Sequence, residues 1–266
     1  MNRTILLLLL LLGTPLAAQG LQSGAALLAQ QGRDFRAEYT VEVKDTAARL
    51  FHVTATFGNL RQRRLELALP VWTPGWFTIE NYGKNVLRFG VKDGSGNRLP
   101  APRVQPQTWS IDTRGKDRIT VEFDYLANVV ALNQAKITHE YAFFTGTQLF
   151  LEPVGHRDAQ ATVRIVVPAG WKIVSALEAT SDSTVFRARD YDALVDAPTL
   201  LGSIQVVPFE VEGKPHLFAI APAGGVAGDI QDYATKVAAV IRVQSALFGG
   251  LPYDKYIIFY LSHPAE

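Results

Sequence analysis

Between residues 37 and 167 the chain repeatedly alternates apolar and polar side chains with a period of two. In residues 37–44, Ala37, Tyr39, Val41 and Val43 alternate with Glu38, Thr40, Glu42 and Lys44. Residues 50–57 set Phe51, Val53, Ala55 and Phe57 against His52, Thr54 and Thr56, and residues 65–69, 119–125 and 162–167 repeat the pattern. A strand sends successive side chains to opposite faces, so this period predicts strands with one face packed and the other in water. Turn-forming clusters fall between them, at residues 92–97 (Lys-Asp-Gly-Ser-Gly-Asn) and 100–106. Short alternating strands at such spacing predict an antiparallel β-sandwich or saddle-shaped domain over residues 34–200.

The pattern changes after residues 189–202, Arg-Asp-Tyr-Asp-Ala-Leu-Val-Asp-Ala-Pro-Thr-Leu-Leu-Gly. Pro198 stops any helix begun at Tyr191, and Gly202 permits a sharp change of direction. Residues 215–220 then read as a short strand. Ile230, Tyr233, Val237, Ile241 and Phe248 recur at helical spacing, with Ala234, Ala238 and Ser245 filling the same face. Asp229 is the expected N-cap, and Gly249 and Gly250, with Pro252 beyond, the expected stop. Residues 256–261 (Tyr-Ile-Ile-Phe-Tyr-Leu) are unbroken apolar, as in strands buried on both faces. Strand, helix and strand make one unit of a mixed sheet, a C-terminal α/β piece. Such a sheet normally needs three strands or more. Residues 201–266 are therefore expected to open a second body that continues in a longer protein, with the last strand pairing back onto the β domain as the other arrangement.

The first 18 residues change the picture of where the protein works. Arg3, an apolar run over residues 5–12 and the small-residue exit Thr-Pro-Leu-Ala-Ala-Gln make a secretory signal peptide, expected to be cleaved near Ala18. The apolar run is too short to span a bilayer. A secreted or periplasmic protein without membrane contact after cleavage is expected, with residues 19–33 as a linker. A net charge of +1 argues against a nucleic-acid surface. With no cysteine there is no disulfide, no thiolate metal site and no thiol nucleophile.

Candidate chemistry is sparse. His139-Glu140 begins like the zinc helix H-E-x-x-H, in which histidines at i and i+4 share one helix face, but the fifth position is Phe143. No two of the five histidines lie four apart. His52 falls on the polar face of a strand and reads as a solvated residue, His156 and His216 read as loop residues, and His263 lies in the tail. No G-x-S-x-G elbow or phosphate loop is present. Glycines 224, 225 and 228 precede the helix, where Asp229 already occupies the anion position. Residues 71–88 are rich in aromatics and turns. Trp72 and Trp76 around Pro74-Gly75 suit either stacking on a sugar or peptide or stapling a loop to the core. Residues 133–151 mix aromatic and hydrogen-bonding side chains and read as a ligand-facing loop or as a hairpin packing its own aromatics.

Four stretches, in order, resemble the glycyl aminopeptidase family of zinc metallopeptidases (metallopeptidase family sixty-one). They are residues 69–85 (Leu-Pro-Val-Trp-Thr-Pro-Gly, then Asn-Val), 138–151 (Thr-His-Glu-Tyr-Ala-Phe-Phe-Thr-Gly-Thr-Gln-Leu-Phe-Leu), 190–198 and 246–256. The resemblance implies a β domain followed by the first strand, helix and strand of a thermolysin-like catalytic domain. It implies aminopeptidase action on peptides with small N-terminal residues. It implies zinc held by H-E-x-x-H and a later glutamate, the motif glutamate activating water. This sequence contains no such motif, so no catalytic or metal-binding residue is carried over and no zinc is expected on this chain. The β-domain residues that the resemblance places along the substrate cleft are Thr138, His139, Tyr141, Phe144, Gly146 and Thr147. The alternatives are a naturally short secreted β-sandwich binding or interaction module and, from Trp72, Trp76 and Trp109, a carbohydrate-binding domain.

Overall fold

Alternation becomes strand wherever the sequence offers it. The computed structural model describes residues 35–262 apart from 130, 132 and 227, so the expected signal peptide, residues 19–33 of the linker and His263 lie outside the described residues. In chain order the strands are β1 (Arg36–Asp45), β2 (Leu50–Gly58), β3 (Arg64–Ala68), β4 (Val86–Asp93), β5 (Arg98–Leu99), β6 (Arg103–Gln105) and β7 (Thr108–Asp112). Then come β8 (Arg118–Leu126), β9 (Lys136–Ile137), β10 (Tyr141–Phe144), β11 (Glu152–Pro153), β12 (Ala161–Val166), β13 (Lys172–Ser175) and β14 (Glu178–Ala179). The last are β15 (Val185–Ala188), β16 (Thr199–Gly202), β17 (Gln205–Val211), β18 (Lys214–Ala221) and β19 (Tyr256–Leu261). The helices are α1 (Gly146–Leu149), α2 (Tyr191–Val195) and α3 (Ile230–Phe248).

The largest sheet has the order β14-β15-β12-β1-β2-β8-β4-β5. It is antiparallel except for the parallel pair β1 and β12. Its apolar face carries Tyr39, Val41, Phe51, Val53, Val121 and Phe123, all buried. Two four-stranded sheets, β11-β3-β7-β6 and β13-β16-β10-β9, cover that face. Leu65, Leu67 and Ile111 from the first and Ala142, Phe144 and Leu201 from the second join one continuous core. Each such side chain taken out of water contributes about 1.5–3 kcal/mol, which fixes the register, because a one-residue slip would expose the whole set.

Sheet β13-β16-β10-β9 is apolar on its other face as well. There Tyr141, Phe143, Val174 and Leu200 meet Ile204, just before β17, and Ala219 and Ala221 of a three-stranded sheet, β17-β18-β19. Phe143 and Phe259 lie edge to face, with centroids 6.0 Å apart. Helix α3 packs on the far side of that sheet through Ile230, Ala234, Ala238 and Ile241. Asp229 accepts from Gln231 N at 2.9 Å, and the helix ends at Gly249 with φ 81°. Both caps are the expected ones.

Four features depart from the sequence reading. Strand β17 was not anticipated, because Pro208 interrupts it; the strand lies at a sheet edge, where a missing N–H is tolerated. Residues 100–106 hold strand β6 rather than turn alone. Phe248 lies outside the buried stripe, 78% exposed. Strand β19 pairs in parallel with β18 and stands at the edge of its sheet, with Tyr256 and Tyr260 exposed, so it is not buried on both faces.

On the polar face of the large sheet, Asp124 is buried beneath Lys44, His52 and Arg88. Nδ1 of His52 lies 2.7 Å from Asp124 Oδ1. A register shift between Leu87 and Gly90, with Arg88 at φ 53°, turns the Arg88 side chain out of alternation and onto this carboxylate. Burial pushes the Asp124 carboxyl up, but hydrogen bonds from His52, Lys44 and Arg88 outweigh it and hold it below the usual carboxylate range.

An unfolded aspartate titrates near ~3.9, so the Asp124 contribution is fully present above that pH and is lost as pH falls through its lower folded value. Asp124→Asn should lower stability by about 2 kcal/mol at pH 7 and flatten the loss of stability below pH ~4, measured as urea midpoints across pH. Gly202 has φ 134°, and a Cβ there would lie 2.4 Å from Glu140 O and 2.6 Å from Tyr141 Cα. Gly202→Ala should therefore cost about 3 kcal/mol. Gly75→Ala, with φ 78° but nothing within 4 Å, should cost about 1 kcal/mol. Equal costs at the two positions would refute the close-approach reading.

Candidate functional site

Residues 71–79 (Val-Trp-Thr-Pro-Gly-Trp-Phe-Thr-Ile) carry no charge and form a loop that stands off the β domain. Glu80 N donates to Val71 O at 2.6 Å and closes its base. Trp76 N donates to Thr73 O at 3.0 Å, making a turn with Pro74 and Gly75 at its centre, where Gly75 supplies the positive φ. Phe77 is fully exposed, and Val71, Trp72, Trp76 and Ile79 are all exposed. Such a cluster of large apolar side chains in water is uncommon.

One residue of the loop points inward. Thr73 Oγ1 lies 2.6 Å from Tyr82 OH and 2.9 Å from Thr147 Oγ1, both in buried pairs. Tyr82 OH donates to Asn133 O, and Gln148 Nε2 donates to Asn133 O and Thr145 Oγ1. Thr145 N donates to Gln148 Oε1 at 2.7 Å, completing a capping box at the start of α1. The Glu80 carboxylate accepts from Asn133 Nδ2 at 2.6 Å and Gln134 Nε2 at 3.1 Å. This satisfied polar knot ties residues 73–82, 133–134 and 145–148 together and holds the loop on its base.

The loop faces the seam. Trp72 and Pro74 form one wall of a cleft of about 250 Å³, with Asp192 and Asp196 on the other wall and Arg157 and Arg189 at its rim. Asp190 caps α2 by accepting from Ala193 N at 2.7 Å. Arg157 bonds Glu152 and Asp192, and its guanidinium lies 5.3 Å over the Tyr191 ring. Hydrogen bonding to Asp192 raises Arg157, while burial raises the Asp196 carboxyl. The cleft can hold a small group that stacks on the indole and meets charges of both signs.

The six residues expected along a substrate cleft separate into two layers. Thr138 and His139 lie at the turn between β9 and β10, where Thr138 Oγ1 donates to Tyr141 O at 3.0 Å and His139 is exposed. Tyr141, Phe144, Gly146 and Thr147 are buried. Phe144 packs edge to face on Phe51, and Thr147 belongs to the polar knot. Residues 133–151 are thus a hairpin and a helix that pack their own aromatics, while Trp72 and Trp76 are exposed rather than stapled down.

The described histidines do not fit a zinc ion. His216, read as a loop residue, sits in β18 with both ring nitrogens engaged, by Lys214 O at 2.9 Å and Tyr253 OH at 3.0 Å. His52 pairs with Asp124 instead of lying free in water. His156 stacks on Phe35 at 3.9 Å, and burial holds it below its usual range. His139 lies 3.7 Å from Glu140. Among the described residues no group of three His, Asp or Glu side chains is placed to hold a metal.

The family model described as the Peptidase M61 N-terminal domain matches residues 38–203. An aminopeptidase N family protein from Idiomarina loihiensis shares the fold at 24% identity and a TM-score of 0.77, over 85% of this chain and 39% of that one. An M1 zinc metallopeptidase from Deinococcus radiodurans is similar at 16% identity and a TM-score of 0.45, over 87% and 56%. Yeast LTA4 hydrolase in complex with bestatin is similar at 13% identity and a TM-score of 0.49, over 87% and 38%. The chain thus spans less than two thirds of the length of each of these structures. No curated protein matches it. With the family match running from the first strand of the large sheet to the close of β16, the chain belongs to the Peptidase M61 N-terminal domain family.

Proposed function

We propose that this chain is the N-terminal part of a secreted or periplasmic zinc aminopeptidase acting on peptides with small N-terminal residues. Residues 34–200 are its β domain and residues 201–266 the opening of a thermolysin-like catalytic domain. The observation that carries this reading is the family match over residues 38–203. Supporting it, β18, α3 and β19 make the strand, helix and strand of an α/β unit, packed against the β domain through Phe143 and Phe259.

Zinc, in this reading, is held by an H-E-x-x-H motif outside this sequence. The chain's own residues position peptide and exclude water. The turn carrying Thr138 and His139 and the loop carrying Trp72 are the exposed contacts, and Tyr141, Phe144, Gly146 and Thr147 hold them from beneath. No nucleic acid takes part. The partner is a peptide.

Purified chain supplied with zinc should cleave alanyl or glycyl p-nitroanilide no faster than buffer; zinc-dependent cleavage by the pure chain would reject the assignment. In a longer polypeptide carrying H-E-x-x-H, His139→Ala should raise KM about threefold with kcat unchanged. An unchanged KM would remove this turn from the cleft. The exported protein should begin near Gln19 on N-terminal sequencing, and one that still begins at Met1 would contradict export with cleavage.

A further inference from the structure

At one end of the β domain two turns lie side by side, residues 59–63 between β2 and β3 and residues 113–117 between β7 and β8. They are stitched together by their backbones. Leu60 N donates to Asp117 O at 3.0 Å, Thr113 N donates to Arg63 O at 3.0 Å, and Thr113 Oγ1 donates to Gln62 O at 2.7 Å. Gly115, at φ 67°, completes the second turn. Between them opens a cleft of about 640 Å³, lined in part by Arg61, Arg63, Arg114 and Lys116. Arg64 and Arg118 flank it in sequence.

Six cations therefore crowd this end, with Asp93, Asp112 and Asp117 the carboxylates among them. Lys116 is paired with Asp93 at 2.6 Å, and Arg114 with Asp112. Those pairs hold the two side chains in place without cancelling the surplus. Arg63 and Arg118 are both exposed and make no ion pair among the described residues. A net charge of +1 for the whole chain thus conceals a local concentration. A second observation concerns Gln62, which also lines the cleft. The side-chain nitrogen of Gln62 is buried with no hydrogen-bond partner among the described residues. A buried donor left unsatisfied destabilises the fold, so this corner of the cleft is not optimised for stability alone.

We infer that this cleft binds a polyanionic glycan, a sugar chain carrying closely spaced phosphate, sulfate or carboxylate groups. Guanidinium groups match such oxyanions in paired hydrogen bonds, and several spaced along one rim favour a polymer over a single ion. The volume suits one or two charged sugar units. Residues 59–64 and 113–118 expose no large apolar side chain that could enter a bilayer. Nor does either stretch hold an aromatic on which a nucleobase could stack.

The test is titration of the purified chain with a heparin oligosaccharide in 50 mM and 200 mM NaCl. Binding should weaken at least tenfold across that range. Arg63→Glu with Arg118→Glu should weaken it at least tenfold at 50 mM. Arg242→Glu with Lys84→Glu, which changes net charge equally elsewhere, should leave it within about threefold. If the double reversal does not fold, judged by its melting curve, Arg63→Gln with Arg118→Gln takes its place, with at least a threefold loss expected. No binding by the unaltered chain, or equal losses in both pairs of variants, would overturn the proposal. So would displacement by millimolar inorganic phosphate, which would indicate a single-anion site. Tighter binding to anionic phospholipid vesicles than to heparin would assign the surface to lipid headgroups and overturn the glycan.

Discussion

Gly146 approaches the carbonyl of Leu194 so closely that a Cβ on it would lie 2.2 Å from that oxygen and 2.6 Å from Val195 Cα. Helix α1 therefore rests on α2 backbone to backbone, and much of the site is placed by that contact. It brings Thr147 up beneath Thr73, which sets the base of the exposed loop. It also fixes α2, whose Asp192 and Asp196 form the wall opposite Trp72. Gly202 makes the matching approach on the hairpin, against Glu140 and Tyr141. Two positions without side chains thus let neighbouring backbones meet, α1 on α2 and β16 on the hairpin.

Buried phenols reinforce the same region. Tyr39 OH donates to Leu151 O at 2.7 Å, and Tyr191 OH donates to Phe150 O at 2.8 Å. Burial pushes both hydroxyls far up, so they stay protonated donors at any physiological pH. Each hydrogen bond offsets the loss of water by a polar group that would otherwise be costly to bury. The segment after α1 is thereby pinned from the large sheet on one side and from the seam on the other. The uncharged loop over residues 71–79 rests on the same region through Thr73 and Thr147.

The seam behaves as a joint rather than a tether. Sheet β13-β16-β10-β9 is apolar on both faces, one toward the large sheet and one toward β17-β18-β19. A linker free to swing would have no such shared face. Whatever the C-terminal piece presents is therefore held in a fixed relation to the hairpin turn at Thr138 and His139.

Local patterns in the sequence determined the strands of the large sheet, the caps of α3 at Asp229 and Gly249, and the short helix stopped before Pro198, because each depends on residues a few positions apart. The resemblance in four stretches likewise indicated the family, since motifs survive in linear order. The candidate site was only half legible. Residues 71–88 and 189–202 stood out one by one, but nothing local says that Trp72 faces Asp196. Only the tertiary structure decided that His52 meets Asp124 from 72 positions away, through strand pairing and a bulge at Arg88. It alone decided that His216 is a core residue, and that Tyr141, Phe144 and Thr147 are buried. Burial and pairing between distant segments are set by how sheets stack, and stacking is not written in the period of any single strand.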